Sequence, residues 1–237
     1  MADRPNEAPR LTDRQRLNWL RLIRTDNVGP AAFRDLINRF GSAEAAIAML
    51  PELAANGGAL RPVRVPDMAH AEEEMERAIR FGARFVAIGE ADYPPMLRRM
   101  ALPPPLVAIK GRAEVLQMTA IAIVGARNAS LAGIKMARML ARDLGGEGYA
   151  IVSGLARGID AAAHTGSLDT GTVAMMAGGL DRPYPPENVS LAEEIAERGA
   201  LLSEMPFGWE PRARDFPRRN RLVAGLALGL VVVEAAM

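Results

Sequence analysis

The sequence predicts an α/β protein in which a doubly wound, mostly parallel sheet follows a small helical domain. Up to about residue 82 the apolar residues recur at helical spacing, whereas the later residues form short apolar runs that alternate with helix-like segments. The 237 residues, 49% of them hydrophobic, are enough for one large domain or two ordinary ones. We therefore expect two domains, residues 1–82 and residues 83–237.

The N-terminal part is predicted to contain short helices joined by turns. Residues 11–26 place large apolar side chains at helical spacing, with Thr12 or Asp13 as the N-cap. The turn at residues 28–30 opens a second helix, and a glycine and a serine separate that helix from a third. A connection rich in glycine and proline precedes a fourth helix. The second, third and fourth helices are expected at 28–40, 42–50 and 66–82, and the connection before the fourth helix at 56–66.

From Arg84 onward, short apolar runs that mostly end in glycine or a polar residue predict strands buried on both faces. Alternation with helices is typical of a Rossmann-like sheet, in which ligands bind at the carboxyl ends of the strands. The runs are RFVAIG, PLVAIKG, AIAIVG, YAIVSG, TVAMMAG, ALLSE and LGLVVVEA. The helix-like segments lie at about 131–145, 159–168, 189–198 and 218–226.

Composition excludes several classes of site. The chain has no cysteine, which rules out disulfides, thiolate metal sites and cysteine nucleophiles and fits a cytoplasmic location. The longest apolar run, residues 222–233, is shorter than the ~20 residues that a bilayer span needs, so we expect no membrane partner. The net charge is only +1, so any site for an anion has to be local.

A local cluster of positive charge lies near the C-terminal end. Five arginines fall within ten residues, opposed there only by Asp215. Several of them are expected in the first turn of a helix, where they oppose the helix dipole, so an anion is expected to compensate them. A solvated charged face is the alternative interpretation. The cluster consists of Arg212, Arg214, Arg218, Arg219 and Arg221, with the amide of Asn220 among them.

The segment AIAIVGARNASLAG passes from a strand through Gly125 into a helix, whose free backbone N–H groups can face an anion. Arg127 and Ser130 add side-chain donors. A dinucleotide fingerprint would need a glycine in place of Arg127 and an acid after the next strand, which ends in Ser153-Gly154. The segment therefore predicts a phosphate site without a dinucleotide cofactor, and a tight turn without a ligand is the alternative.

The next loop, VSGLARGIDAAAH, has the same design. Ser153 and Gly154 permit close backbone approach, and Arg157 supplies charge at a second helix start. Two neighbouring anion loops indicate a polyanion rather than one small ligand. Asp160 and His164 lie four residues apart on one helix face, a spacing that fits a capping Asp160, a metal site or an acid/base pair; we expect no metal.

Several segments together resemble one known family. In order and spacing, GARNAS, SGLARGIDAAAH, YPPEN, SEMP and FPRRNRLVAGLA are similar to the DNA processing protein A family, DprA, also called Smf. The resemblance spans about residues 83 to 237, and the helical module before it is similar to the family's SAM-like N-terminal domain. Ala132 stands where the family usually has an aromatic residue, and Thr165 where a basic residue is common.

The resemblance implies a bacterial protein that binds and protects single-stranded DNA taken up in natural transformation. It also implies a homodimer that helps to load a RecA-type recombinase, with no catalytic residue and no cofactor. Tyr184 and Phe216 are the candidates for stacking on a base. The anion loops and the resemblance together assign the DNA phosphates to Arg127, Ser130, Ser153, Gly154, Arg157, Arg218, Arg219, Asn220 and Arg221.

Two other functions stay open. Related Rossmann-like proteins hydrolyse the bond between a base and a phosphoribosyl group, and Glu204 and Asp160 are the acids suited to that reaction here, although GGLDRPYPPEN lacks those enzymes' PGG-x-GT loop. The helical module could instead serve as a protein-interaction module.

Family members continue beyond the strand that ends in Glu234. We therefore expect the family's C-terminal part to be missing, the last strand to be uncovered and the dimer surface to be incomplete.

Overall fold

The computed structural model of the chain describes residues 10–56 and 63–235. Its first part is a helical module, as expected, whose helices begin at clear sequence signals. Thr12 forms a reciprocal capping box with Gln15, Pro30 follows the N-cap Gly29, and Asp67 accepts a hydrogen bond from the next turn. The helices are α1 (Asp13–Ile23), α2 (Pro30–Phe40), α3 (Ala43–Asn56) and α4 (Met68–Arg80).

Helix α3 is longer than the sequence predicted. The prediction ended it near Leu50, whereas the helix continues through Pro51 to Asn56. Proline removes one backbone donor, but alanine, glutamate and leucine around it have high helix propensity and carry the helix on. Most of the predicted connection at 56–66 lies outside the described residues.

The later part is a seven-stranded sheet, which confirms the predicted fold class. The strand order is β1-β2-β6-β5-β4-β3-β7. The five strands from β6 to β7 in this order run parallel, and β1 and β2 pair antiparallel at one side. The strands are β1 (Ala83–Ala87), β2 (Leu106–Gly111), β3 (Ala120–Gly125), β4 (Ala150–Ser153), β5 (Thr172–Met175), β6 (Ala200–Ser203) and β7 (Gly229–Val233).

Helices cover both faces of the sheet, because alternate strand residues point to opposite sides. Val152 and Met175 pack against α9, whereas Ile123 and Ile151 pack against α6 and α7 on the other face. The helices of this part are α5 (Pro95–Arg98), α6 (Leu131–Gly146), α7 (Ile159–Ser167), α8 (Val189–Arg198) and α9 (Asp215–Leu226). Among the described residues, no helix has the length and apolar character that crossing a bilayer requires.

The edge strand β7 is covered on one face only. Val231 and Val233 pack toward α6, whereas Leu230 and Val232 on the other face are 49% and 56% exposed. Helix α9 packs over β3, β4 and β5 and does not extend over this part of the sheet. Within the described residues, the face of β7 beside α9 is therefore apolar and exposed.

A buried ion pair joins the helical module to the sheet. Arg16 of α1 donates to the Glu90 carboxylate at 2.8 Å and to the carbonyl oxygen of Phe85 in β1. Glu90 in turn accepts the backbone N–H groups of Leu11 and Ala87. Burial alone would raise the pKa of Glu90, but the hydrogen bonds from Arg16 and from the backbone outweigh burial and lower it. Arg16 and Glu90 thus neutralise each other's charge, and each also forms a hydrogen bond with a backbone group of β1.

We expect Glu90→Gln to lower the free energy of unfolding by about 3 kcal/mol, because it leaves Arg16 buried without a counter-charge. Urea denaturation at pH 7 measures this, and Glu44→Gln, which breaks the exposed pair with Arg14, is the matched control with an expected loss below ~1 kcal/mol. Since the folded pKa of Glu90 is lowered, its stabilisation is complete above the unfolded value of 4.5 and disappears as pH falls through the folded value. Equal losses for both variants would contradict the role of the pair.

Candidate anion-binding site

Arg219 lies at the carboxyl ends of the parallel strands with its charge unpaired. Its side chain extends from α9 to the end of β5, where Nη1 donates to the carbonyl oxygen of Met175 at 3.1 Å. Only 5% of the residue is exposed. Its Nε atom has no hydrogen-bond partner, and within the described residues its guanidinium forms no ion pair with a carboxylate. A buried cation in this state is costly, so the position is suited to a ligand that brings negative charge.

The guanidinium of Arg219 rests on the backbone at Gly154, the residue that follows β4. A Cβ atom added at Gly154 would overlap Nη1 and crowd the whole guanidinium group. The glycine is therefore required by the close approach of the arginine, not by its own backbone angles. The sequence predicted that Gly154 lets a ligand approach the backbone; in the structure the guanidinium of Arg219 occupies that space.

Asp160, in the first turn of α7, shapes the loop below Arg219. Its Oδ2 accepts the backbone N–H groups of Gly154 and Ala156 at 3.1 and 3.2 Å. Asp160 therefore orders the β4–α7 loop. It does not cap its own helix, although a capping role had been one prediction from the sequence. Burial raises the pKa of Asp160, and the positive charge of Arg219 opposes that rise. Burial also lowers the pKa of Arg219, which Asp160 partly restores. Each charge thus moderates the other without a direct ion pair.

A narrow cleft, called here the aromatic cleft, opens over Arg219. Its cavity volume is about 20 Å³, room for little more than a water molecule. The Tyr184 and Phe216 rings lie 5.5 Å apart, and the exposed Arg127 guanidinium lies 5.3 Å from the Phe216 ring centroid. A larger ligand would therefore contact the rim of the cleft. The cleft is lined by Arg127, Gly154, Ala156, Arg157, Tyr184, Pro185, Phe216 and Arg219.

The start of α6 is already occupied by an internal anion. Glu234, directly after β7, accepts hydrogen bonds from the Ser130 backbone N–H at 2.9 Å and from its hydroxyl at 2.6 Å. These hydrogen bonds lower the pKa of Glu234. Gly133 leaves the space for the carboxylate, since a Cβ there would overlap Oε2. Sequence reasoning missed Glu234, although an acid directly after an edge strand was visible. Ser130 as a phosphate ligand stays a prediction, and a phosphate there has to compete with Glu234.

The other predicted ligands differ in accessibility. Ser153 is fully buried and donates to the carbonyl oxygen of Ile123 at 2.6 Å, so its side chain supports the loop from inside. Arg157 is exposed on the rim and forms an exposed ion pair with Glu187 at 3.3 Å. Asn220 is exposed on α9. Of these three, Arg157 and Asn220 are therefore open to a ligand.

Two of the clustered arginines are neutralised by Glu204. Arg218 donates from Nε to Glu204 at 2.9 Å, and Arg221 forms an ion pair with the other oxygen of the same carboxylate. The helix begins at Asp215 and not at residue 218 as predicted, so Arg218 lies at the end of its first turn and Arg221 in the second turn, while Asp215 is at its start. The helix dipole therefore opposes these arginines less than expected, and the unfavourable charge in this cluster is the buried guanidinium of Arg219.

Neither acid proposed for hydrolysis is free at the cleft. Glu204 is buried, holds Arg218 and Arg221, and does not line the aromatic cleft. Asp160 accepts two backbone N–H groups. Within the described residues, no group of three or more metal-ligating side chains is gathered.

His164 is a fully buried neutral imidazole below the site. Its Nδ1 lies 2.7 Å from the hydroxyl of Thr172, which donates its own proton to the carbonyl oxygen of Ile151. His164 therefore donates through Nδ1–H, and its Nε2 has no partner among the described residues. Burial, aided by the charge of Arg219, lowers the pKa of His164 to about 3.

The fold and the site define a class: a Rossmann-like α/β protein with a candidate anion site at the carboxyl ends of its strands. Comparison with known proteins narrows this class. Residues 84–237 match the family described as DNA recombination-mediator protein A, and residues 13–77 match the DprA-like N-terminal HHH domain. The chain belongs to the DNA recombination-mediator protein A (DprA/Smf) family.

Individual relatives agree with this assignment. The chain is 32% identical to protein Smf of Synechocystis over 92% of its own length and 58% of the relative. It is 38% identical to DNA processing protein DprA of Streptococcus pneumoniae over 72% of the chain and 59% of the relative. The chain thus spans little more than half the length of these curated relatives.

Two solved structures are similar to this fold. The X-ray structure of DprA from Streptococcus pneumoniae has a TM-score of 0.66 at 36% identity, covering 73% of this chain and 59% of that one. DprA from Helicobacter pylori, whose unique single-stranded DNA binding mode has been described structurally, has a TM-score of 0.60 at 28% identity, covering 65% and 70% of the two chains.

We expect His164 to make the fold sensitive to mild acid. Its folded pKa lies below the unfolded value of 6.5, so its stabilisation is present above pH 6.5 and is lost as pH falls toward 3. The limiting slope is about 1.4 kcal/mol per pH unit. His164→Asn keeps a donor for Thr172 and should flatten this slope in urea denaturation between pH 7 and 5, whereas His70→Asn on the surface should not. Identical slopes for both variants would refute the assignment.

Proposed function

We propose that this chain binds single-stranded DNA by its phosphates at the Arg219 site and does not cleave it. The bound strand is DNA taken up in natural transformation, which the protein protects in the cytoplasm and helps to load with a RecA-type recombinase. The observation that carries the proposal is the buried, unpaired guanidinium of Arg219 at the strand ends. The similarity to the Helicobacter pylori protein supports single-stranded DNA as the ligand.

The exposed rim of the aromatic cleft suits a flexible polyanion. Arg127 and Arg157 line the cleft beside Arg219, whose guanidinium lies over Gly154. Successive phosphates of one strand can therefore each contact a separate arginine. Phe216 and Tyr184 offer ring faces to a base next to these phosphates. Phosphate contacts carry no sequence information, so we expect binding to tolerate any sequence. Arg218, Asn220, Arg221 and Ser130 lie around this centre, with Ser153 as internal support.

The organisation of the whole protein is part of the same proposal. Residues 1–82 form one domain and residues 83–237 the other, and the protein assembles as a homodimer. Arg24 of the helical module donates to the carbonyl oxygen of Glu204 at 3.0 Å and pairs with Glu74, so the module rests behind the residue that holds Arg218 and Arg221. This hydrogen bond links the helical module to the residue that holds Arg218 and Arg221.

Arg219→Met should weaken binding of single-stranded DNA without loss of stability. The methionine keeps much of the side-chain volume and removes a buried charge, so the melting temperature should stay equal or rise. Affinity for a labelled oligo-dT strand should fall by roughly tenfold to a hundredfold, and the slope of log K against log salt should shrink by about 0.7. Fluorescence anisotropy at several salt concentrations measures both.

The matched control is Arg142→Met, which removes an exposed arginine from the outer side of α6. It should change neither affinity nor slope beyond the small effect of one distant charge. If the two variants bind alike, or if Arg219→Met lowers the melting temperature while its affinity stays intact, Arg219 is a structural residue and the proposed site is wrong.

Gly154→Ala tests the same site without changing any charge. The added methyl group displaces the flexible end of Arg219 and no backbone, so stability should hold while oligo-dT affinity falls about tenfold. Gly146→Ala, where a methyl group meets nothing within 4 Å, is the control. Unchanged affinity in Gly154→Ala would show that the guanidinium position over Gly154 does not matter for binding.

A further inference from the structure

Glu204 lies directly after β6, an interior strand between β2 and β5, and holds two arginines of α9. The residue is only 7% exposed, and each of its carboxylate oxygens accepts from a different guanidinium. A buried carboxylate needs such partners, because an unpaired charge in its place would be costly. Glu204 is thus an internal anion within the arginine cluster of the proposed site.

The two arginines are held by Glu204 in different ways. Arg221 uses both of its terminal nitrogens inside the protein, because Nη2 contacts Glu204 and Nη1 donates to the carbonyl oxygen of Leu102 at 3.0 Å. Arg218 donates to Glu204 through Nε alone, at 2.9 Å. Within residues 10–56 and 63–235, its two terminal nitrogens form no further hydrogen bond, and its side chain is 44% exposed. Arg221 therefore braces the fold, whereas Arg218 keeps one edge of its guanidinium for a ligand.

The charges in this group do not cancel. One carboxylate faces two guanidinium groups, so one positive charge remains, and it is most accessible at Arg218. Arg218 directly precedes Arg219 on α9, and successive helix residues point in different directions. Arg219 reaches the ends of β4 and β5, and Arg218 reaches the end of the neighbouring strand β6. Because adjacent strands of a sheet are ~4.8 Å apart, the two guanidinium groups suit neighbouring phosphates of one DNA strand.

The carboxylate of Glu204 opposes a bound DNA strand in two ways. Its negative charge lies next to the guanidinium that a phosphate approaches, so it reduces the attraction that Arg218 offers. It also retains Arg221, because release of that arginine would leave the buried carboxylate with one partner fewer. An acid in this position therefore makes the cluster a weaker phosphate site than its number of arginines indicates.

We propose that Glu204 limits the strength of DNA binding: it shares Arg218 with a phosphate, holding Nε while the terminal nitrogens contact the DNA, and it keeps Arg221 away from the strand. This inference rests on the proposed function and assigns a role to a buried acid that the aromatic cleft does not use. A weaker contact lets the DNA dissociate faster, because most affinity differences of this kind lie in the dissociation rate. A protein that passes its strand on to a recombinase needs such release.

Glu204→Gln tests this limit directly. Glutamine keeps the length of the side chain and one acceptor oxygen but removes the charge, so affinity for labelled oligo-dT should rise roughly fivefold. The slope of log K against log salt should steepen by up to about 0.7, because Arg221 becomes free to contact one more phosphate. Fluorescence anisotropy at several salt concentrations measures both, and thermal denaturation shows whether the variant is folded. Glu187→Gln is the matched control: its pair with Arg157 is exposed and screened, so the gain should stay below about twofold.

Arg218→Lys tests the sharing, and it does so even if Glu204→Gln does not fold. Lysine keeps the positive charge but carries a single ammonium group, which does not offer one edge to Glu204 and another to a phosphate. Affinity for oligo-dT should therefore fall roughly threefold. Arg142→Lys, which makes the same replacement on the outer side of α6, is the control and should bind like wild type.

The outcomes separate the two proposals. If wild-type protein does not bind oligo-dT, the proposed function fails and the role of Glu204 with it. If wild-type protein binds and Arg219→Met weakens binding, but folded Glu204→Gln binds like wild type or more weakly, the role of Glu204 alone is wrong. Equal gains in Glu204→Gln and Glu187→Gln also overturn it, because the loss of any nearby negative charge then explains the effect. If Arg218→Lys binds like wild type, Arg218 is not shared with a phosphate.

Discussion

The unpaired guanidinium of Arg219 is the constraint around which the rest of the site is arranged. Its approach to the backbone requires glycine at position 154. Among the described residues, its hydrogen bond goes to the carbonyl oxygen of Met175 at the end of β5, and Asp160 orders the loop beneath it. A folded chain that retains such a charge is less stable than it would be with an apolar residue there. A bound phosphate supplies the missing counter-charge, so ligand and fold stabilise each other.

The sequence was sufficient for the architecture because the strands other than β7 are largely buried on both faces. Continuous apolar runs such as AIAIVG and TVAMMAG are typical of parallel strands, and each one became a strand of the sheet. Helix ends were less well predicted: α3 passes through Pro51, and α9 begins three residues earlier than expected. Such boundaries depend on tertiary packing, which local sequence does not encode.

The candidate site was predicted in outline but not in its charge balance. Of the arginines named from the sequence, Arg127, Arg157 and Arg219 line one cleft. Local sequence did not indicate that Glu204 would neutralise Arg218 and Arg221 and leave Arg219 unpaired. These pairings join α9 to the residue directly after β6, 14 and 17 positions earlier in the chain, and arise only when α9 has packed on the sheet. Ser153 illustrates the same limit, since its hydroxyl turns inward to a neighbouring strand.

The carboxylate of Glu234 also sets the register of the sheet edge. A parallel edge strand is held to its neighbour on one side only, and apolar side chains such as Val231 and Val233 tolerate sliding poorly but do not forbid it. A slip by one residue would move a side chain by about 3.3 Å and turn it to the opposite face. Glu234 would then leave both donors of Ser130 and the space beside Gly133. The hydrogen bonds between Glu234 and Ser130 thus fix the position at which β7 ends relative to α6.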